Sequence, residues 1–262
     1  FRQNFSQVTN PPIDSLRENK VMSLKTRFGN LGNILDFDNL TKENIYVLDS
    51  PILTNSQFKK FKKFFSKKIK VIDCTFDVKS SLKERIEAIR EETETAVREG
   101  SSSLILSDKN ISNQKASIPS ILTVGAVHSH LIKHGLRGYC SLNVECSDAL
   151  DTHSFAVLIG VGATTVNPYL AIDSIYQRFE KKLFGKSDFE SCVFKFKKSI
   201  DAGLLKIMSK MGISVVSSYR GGCNFEAVGL SRAIVSDYFS GMSSRISGIG
   251  IIGIEKKIKE LH

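Results

Sequence analysis

A strand–helix–strand pattern runs through residues 103–146, which read SLILSDKNISNQKASIPSILTVGAVHSHLIKHGLRGYCSLNVEC. It opens on the apolar residues 103–107 and closes on a second β-rich segment at residues 139–146. Between them, Pro119 begins a helix that runs to about His134 and stops at Gly135, the usual placement of proline and glycine at helix ends. Strands that alternate with helices in this way predict a mostly parallel sheet.

The same alternation continues on both sides of this unit. Apolar residues recur with a period near 3.6 in a helix that begins at Ser80 or Ser81 and ends at Gly100. Pro168 opens another helix, and Gly212 closes one that ends over residues 200–211. Further strands are predicted at residues 45–48, 69–76, 164–167 and 214–217. We therefore predict an α/β layered domain with a mostly parallel sheet flanked by helices.

The first 40 residues differ from the rest of the chain. The residues before Pro11 and Pro12 are pushed out of the helical region, so this stretch is extended or turn-forming. Residues 27–33, RFGNLGN, are rich in glycine and asparagine and predict a structured loop. Long loops of this kind are usually functional or interface elements. We expect a loop-rich N-terminal arm.

The chain has 262 residues, enough for one large domain or two small ones. It shows no internal repeat and no clear linker, so we expect one domain over residues 1–262. It opens on Phe1 rather than methionine, and we expect it to be part of a longer or processed protein that lacks the first segment of its domain.

Five cysteines without regular spacing do not form a disulfide framework and point to a reducing compartment. No apolar run approaches the roughly 20 residues that a membrane helix needs. The N-terminus lacks the basic and apolar regions of a secretory signal. We expect a cytoplasmic chain.

The net charge is +10, and its densest basic run is FKKFKKFFSKKIK at residues 58–70. Phe58, Phe61 and Phe65 share one helical face, with lysines around it. A basic amphipathic helix of this kind can bind a membrane surface or nucleic acid. Alternatively, it can pack its phenylalanine face against the core while the lysine side chains extend into water. Because lysine greatly outnumbers arginine along the chain, we favour the packed helix and predict neither a nucleic-acid nor a membrane partner.

Three histidines lie within seven residues, and His130 and His134 share a helix face at i, i+4, a workable pair of metal ligands. His128, His153, Cys140, Cys146 and Asp151 are close enough in sequence to suggest a mixed site. No CxxC or HExxH motif accompanies them, and spacing alone is weak, so we predict no metal site.

Two glycine-containing turns resemble anion-binding loops. The segment GVGATT at residues 160–165 follows a predicted helix and precedes a strand, the wrong order for a dinucleotide site, and predicts a tight turn. The segment YRGG at residues 219–222 follows a predicted strand and precedes a predicted helix near Asn224, so Arg220 and Gly221 form a candidate anion turn. A similar polar turn lies at residues 243–248. No nucleophile motif is present, and we predict no catalytic residue.

Six segments, spread in order over the chain, carry a family resemblance. They are QVTNPPIDSLRE (residues 7–18), RFGNLGN (27–33), AVHSHLI (126–132), NPYLA (167–171), LLKIMSKMGIS (204–214) and SRISGIG (244–250). Together they resemble the central domain of the large subunit of glutamate synthase.

This resemblance implies a place in a multidomain oxidoreductase. In the family, an N-terminal amidotransferase domain headed by a cysteine releases ammonia from glutamine. The ammonia passes through an internal tunnel to a flavin-binding barrel, where 2-oxoglutarate is aminated and reduced to glutamate. FMN and an iron–sulfur cluster carry the electrons for this reduction. The electron donor is ferredoxin or a pyridine-nucleotide-dependent subunit.

For this chain the resemblance implies an α/β domain that joins the amidotransferase and flavin domains and has no catalytic residue, metal or cofactor of its own. It also implies that Thr9 and Asn10 lie near the wall of the ammonia tunnel. The compartment would be the cytoplasm, or the plastid stroma for an organellar parent.

The sequence departs from the family pattern at several positions. Serine stands at Ser129 and Ser154, where the family commonly has histidine, which puts any histidine-dependent role in doubt. Gly222-Cys223-Asn224 replaces Ala-Gln-Ile, and Met242-Ser243 replaces Thr-Pro. Two alternatives to the connecting domain remain: an independent small-molecule or anion-binding domain that uses the Arg220 turn, and a basic binding module.

Overall fold

The computed structural model describes residues 1–5, 18, 20–30 and 45–262. The β-strands of this part of the chain are β1 (Arg2–Gln3), β2 (Thr26–Phe28), β3 (Tyr46–Leu48), β4 (Ile69–Asp73), β5 (Thr75–Asp77), β6 (Ser103–Ser107), β7 (Lys115–Ser117), β8 (Ser141–Glu145), β9 (Thr165–Asn167) and β10 (Phe225–Glu226). Its α-helices are α1 (Asn55–Phe64), α2 (Leu82–Arg98), α3 (Ser120–Lys133), α4 (Thr152–Val161), α5 (Tyr169–Glu180), α6 (Phe189–Lys210), α7 (Val216–Tyr219), α8 (Arg232–Tyr238) and α9 (Ile251–Leu261).

A four-stranded parallel sheet in the order β4-β6-β8-β9 forms the centre of the fold. Helices α2, α3 and α4 lie in the connections between successive strands of this sheet. Every residue of β6 and β8 is buried, as expected for central strands that are covered on both faces. The predicted α/β class, with a mostly parallel sheet flanked by helices, is confirmed.

Capping residues set the helix boundaries much as the sequence predicts. Ser81 caps α2 by accepting a hydrogen bond from the backbone N–H of Glu84. Pro119 precedes α3, which ends at Lys133 just before Gly135. Helix α6 ends at Lys210, two residues before Gly212.

The predicted strand at residues 69–76 is wrong in extent, because Asp73 breaks it. The Asp73 carboxylate accepts hydrogen bonds from the backbone N–H and the hydroxyl of Thr75, a local turn that competes with a straight strand. The chain therefore leaves the parallel sheet, and β5 pairs antiparallel with β7.

The predicted strand at residues 214–217 is wrong. Only Val215 makes a β-bridge, to Ser23, and the next residues form the short helix α7. The backbone N–H of Arg220 closes this helical turn on the carbonyl of Val216. One bridge to a distant residue cannot extend a strand, so the local turn prevails over the β propensity of two valines.

The phenylalanine face of the basic run is part of the core. Phe58, Phe61 and Phe65 are buried in a cluster with Phe28 and Leu53. Lysines on the other side of α1 stay in water, which confirms the packed amphipathic helix. Among the described residues, no helix is long and apolar enough to cross a bilayer.

The N-terminal region is described only in part. The predicted loop at residues 27–33 begins as the strand β2, which pairs antiparallel with β3 and buries Phe28. Residues 31–33 lie outside the described residues, as do Pro11 and Pro12. Strand β1 pairs antiparallel with β10, which fixes the first residues of the chain to its last third.

Candidate functional site

Thr9 and Asn10, the predicted tunnel-wall residues, lie outside the described residues. The chain on either side of them is described and is attached to one region. Before them, the backbone N–H of Asn4 donates to the carbonyl of Asn224 at 2.8 Å. After them, the N–H of Ser23 donates to the carbonyl of Ser214 at 2.8 Å. Both flanks of residues 6–17 are therefore fastened to residues 214–224.

The Arg220–Gly221 turn lies in the same region, but its setting differs from the prediction. It follows the helix α7 and leads into the strand β10, so the predicted helix near Asn224 is wrong. Gly221 and Cys223 both have positive φ, 68° and 53°, and these left-handed residues turn the chain directly into the strand. The turn therefore has no helix N-terminus to offer an anion.

The structure instead brings Arg220 close to a second arginine, Arg137. Burial, and then the charge of Arg137, lower the pKa of Arg220 to about 10, so it stays protonated at neutral pH. The Nε of Arg220 is buried and has no hydrogen-bond partner among the described residues. Within the described residues, neither arginine forms an ion pair with a carboxylate.

Arg137 is held by four uncharged acceptors. They are His128 Nδ1 at 3.0 Å, the Cys140 carbonyl at 2.6 Å, the Gly162 carbonyl at 2.8 Å and Thr164 Oγ1 at 3.3 Å. These contacts join the start of the 3₁₀ turn Arg137–Tyr139 to the turn between α4 and β9. The sequence offered no signal for Arg137, because its partners are separated along the chain.

His128 lies between the two arginines and is a neutral imidazole. Burial, followed by the charges of Arg137 and Arg220, lowers the pKa of His128 to about 3. Because Nδ1 accepts a hydrogen bond from Arg137, the ring proton resides on Nε2. A neutral histidine with this hydrogen bond helps to hold Arg137 in place.

Two glycine turns leave space for this ring. A Cβ at Gly162 would lie 2.4 Å from His128 Cγ, and a Cβ at Gly221 would lie 3.1 Å from His128 Nε2. Gly162 also ends α4, as the predicted helix-to-strand turn at residues 160–165 requires. A cavity of about 180 Å³ opens beside the ring, lined among others by Cys223, Ser240 and Met242. None of the described residues that line it carries a carboxylate, so this lining suits a small anion or a neutral molecule better than a cation.

Three buried cysteines have thiols that are poorly suited to act as nucleophiles. Cys74, Cys140 and Cys146 are buried, and burial raises the pKa of each thiol, to about 12 for Cys74. A nucleophilic cysteine needs the opposite shift, toward the thiolate. Cys223 is the one exposed thiol of the five.

The mixed histidine–cysteine site that sequence proximity suggested, and that we did not predict, does not form, but the pair His130 and His134 meets a carboxylate. Glu94 Oε2 lies 2.7 Å from His130 Nε2 and 2.8 Å from His134 Nδ1. Sequence spacing missed Glu94 because it stands on the neighbouring helix α2. The other residues of the suggested mixed site lie elsewhere. Asp151 caps α4, His153 contacts the Phe1 carbonyl, and Cys140 and Cys146 are buried.

Comparison with known proteins gives one consistent family. The family model for the glutamate synthase central domain matches residues 1–231. The large chain of the NADPH glutamate synthase of Azospirillum brasilense is 57% identical over 265 residues, which cover 100% of this chain and 17% of that protein. The corresponding large chain of Bacillus subtilis (strain 168) is 42% identical over 270 residues, again 100% of this chain and 17% of that protein.

The ferredoxin-dependent glutamate synthase of Pyropia yezoensis is 39% identical over 277 residues, 100% of this chain and 18% of that protein. This chain thus spans less than a fifth of the length of these relatives. Among solved structures, a flavocytochrome b2 variant with benzoylformate aligns with 64% of this chain and 37% of its own, at a TM-score of 0.42 and 13% identity. The extent of the family match and the identity of the relatives show that the chain belongs to the glutamate synthase central domain family.

Proposed function

We propose that this chain acts within a glutamate synthase large chain, where it joins the amidotransferase and flavin domains and forms part of the wall of the ammonia tunnel. The parent reaction is the reductive amination of 2-oxoglutarate with glutamine nitrogen to give glutamate. The observation that carries the proposal is the match to glutamate synthase large chains, in which a segment like this one is 17 to 18% of the protein.

The chemistry of the interior supports a connecting role without catalysis. The buried thiols have raised pKa values, and His128 is neutral with one nitrogen occupied by Arg137. We propose that FMN and an iron–sulfur cluster belong to other domains of the parent enzyme. Its electrons come from ferredoxin or from a reduced pyridine nucleotide, since the names of the relatives include both kinds of enzyme.

Thr9 and Asn10 are the residues that we assign to the tunnel wall. The assignment rests on the family resemblance of residues 7–18 and on the physical demands of a path for neutral ammonia. Small uncharged side chains next to Pro11 and Pro12 suit a closed, stiff wall, because proline lowers the entropy lost on ordering the chain. The attachment of both flanks to residues 214–224 gives such a segment fixed ends.

A bulky substitution in the full enzyme tests this assignment. In a glutamate synthase that carries this domain, we expect Thr9→Trp and Asn10→Trp to lower glutamine-dependent glutamate synthesis. Glutaminase activity and synthesis from added ammonia should persist, because neither active site is altered. Asn113→Trp, in an exposed turn, is the control and should leave all three rates unchanged. Unchanged coupling of glutamine hydrolysis to synthesis would contradict the wall assignment.

A second candidate function is the binding of a small anion at Arg220. The observation that favours it is the buried Nε of Arg220, for which the described part of the chain offers no hydrogen-bond partner, in a region that also holds Arg137. We expect inorganic phosphate to raise the melting temperature of the chain, and Arg220→Gln to abolish that increase. Arg245→Gln, at an exposed arginine, is the matched control. Equal phosphate effects in the two variants would contradict anion binding at Arg220.

A further inference from the structure

We propose that Glu94, His130 and His134 form a binding site for one zinc ion on the face shared by α2 and α3. Their three ligand atoms all lie within 4.8 Å of one another. Two imidazole nitrogens and one carboxylate oxygen are a set that zinc takes in open sites with three protein ligands. The inference is independent of the role proposed for the chain in glutamate synthase.

The helices place the three side chains without help from a loop. His130 and His134 stand one turn apart on α3, with ring centroids 4.3 Å apart and planes at 69°. Glu94 faces them from the fourth turn of α2, the helix packed against α3. Ligands on two packed helices keep their separation, so little conformational entropy is lost when an ion binds.

The degree of burial leaves room for a fourth ligand. The side chains of His130 and Glu94 are 17% and 22% exposed, whereas that of His134 is 39% exposed. The site is therefore open to solvent on the His134 side. A water molecule can complete a tetrahedron there, as in other zinc sites with three protein ligands.

The present contacts are close to those of a metal site. Both histidine nitrogens approach the same oxygen, Glu94 Oε2, at 2.7 and 2.8 Å. Zinc bonds of about 2.0–2.1 Å in a tetrahedron place ligand atoms about 3.3 Å apart. Side-chain rotations that open these contacts by roughly 0.5 Å would admit the ion. Its charge would then replace the two ring protons that hold the hydrogen bonds.

A neighbouring arginine sets the expected strength of the site. Arg98 lies 2.8 Å from the other carboxylate oxygen, Glu94 Oε1, and leaves Oε2 to the histidines. This guanidinium keeps the carboxylate ionised, but its positive charge also opposes a divalent cation nearby. Removal of the Arg98 charge should therefore tighten zinc binding, an effect that a chance surface site without Glu94 would not show.

Cobalt spectroscopy tests the site directly in the 262-residue chain, prepared without a histidine tag. We expect Co²⁺ to bind in one equivalent with the intense visible absorption of a four-coordinate ion. Zn²⁺ should displace it in competition. Zn²⁺ should also raise the melting temperature, because an ion that binds only the folded chain stabilises it.

Matched variants identify the ligands. We expect His134→Ala and Glu94→Gln to weaken Zn²⁺ binding about tenfold or more, and Arg98→Gln to strengthen it. His153→Ala and Glu91→Gln are controls at a histidine and a glutamate outside the site, and they should bind as the parent chain does. Circular dichroism checks that each variant is folded.

Two results would overturn the proposal. One is the absence of stoichiometric Co²⁺ or Zn²⁺ binding to the folded parent chain. The other is equal affinity in Glu94→Gln and Glu91→Gln, since binding by the histidine pair alone would exclude the three-ligand site.

Discussion

The Nε of Arg137 donates a hydrogen bond to His128 Nδ1 at 3.0 Å, and this contact fixes the tautomer of the histidine. Burial of the ring, and then the positive charges of this guanidinium and of Arg220, lower the pKa of His128 and disfavour its protonation. The folded chain thus holds His128 neutral over a pH range in which an unfolded chain would protonate it.

This difference predicts acid sensitivity. The pKa of His128 is about 3 in the folded chain, below its ordinary value of 6.5. Between these two pH values the unfolded state binds more protons than the folded state, so the free energy of unfolding falls as the pH falls. The slope for one proton is at most about 1.4 kcal/mol per pH unit. Denaturant unfolding at several pH values should show that the stability difference between the parent chain and His128→Gln shrinks from pH 7 to pH 4.5. His153→Gln is the control, and a pH-independent difference for His128→Gln would contradict the assignment.

The space taken by His128 predicts a difference in stability between alanine substitutions at two glycines that share the same φ angle. Gly221 and Gly135 both have φ of 68°, but a Cβ at Gly135 would meet nothing within 4 Å. Alanine at Gly135 should cost about 1–2 kcal/mol of unfolding free energy from backbone strain alone. Gly221→Ala should cost more, because the added methyl also displaces the ring. Urea unfolding of both variants measures the difference, and equal losses would contradict the contact.

The basic helix α1 offers two phenylalanines for a matched comparison. Phe61 is fully buried, whereas Phe64 is 49% exposed. Phe61→Ala should lower the free energy of unfolding by about 3–5 kcal/mol, as for other buried aromatic residues. Phe64→Ala should cost no more than about 1.5 kcal/mol, since it loses mainly ring contacts with Tyr46 and Phe65. Similar effects in thermal or denaturant unfolding would contradict a core role for the phenylalanine face.

Thiol reactivity should separate Cys223 from the other cysteines. Cys223 is exposed, while Cys74, Cys140, Cys146 and Cys192 are buried. A disulfide reagent added to the native chain should modify one thiol quickly, and Cys223→Ser should remove that fast phase. After denaturation all five cysteines of the parent chain should react. A fast phase that survives in Cys223→Ser would show that a thiol of the interior is accessible.

Local signals in the sequence predicted much of the fold. Ser81, Pro119 and Gly135 mark helix ends because capping depends on residues that are adjacent along the chain. The buried face of α1 follows from helical spacing alone. The break at Asp73 was missed because a side chain that bonds its own backbone competes with a strand that propensity favours.

The candidate sites were harder to predict because their members come from separate segments. The i, i+4 spacing along the sequence places His130 and His134 on one face of a helix. It carries no information about Glu94, which lies on a different helix. In the same way, the YRGG segment pointed to Arg220, while its charged neighbour Arg137 depends on tertiary packing. Residues 6–17, which include Thr9 and Asn10, remain assigned by resemblance and stay a prediction.

The pairing of β1 with β10 sets an order in which this fold can be completed. Gln3 pairs with Phe225, and its side-chain amide also donates a hydrogen bond to the carbonyl of Asn224, 221 residues further along the chain. During synthesis, the N-terminal strand therefore has no partner until almost the whole domain has left the ribosome. The parallel sheet, whose strands are closer in sequence, can assemble earlier, and contacts of long sequence separation form slowly. Any segment between residues 3 and 224 that misfolds would leave that first strand exposed as an unpaired edge, open to aggregation.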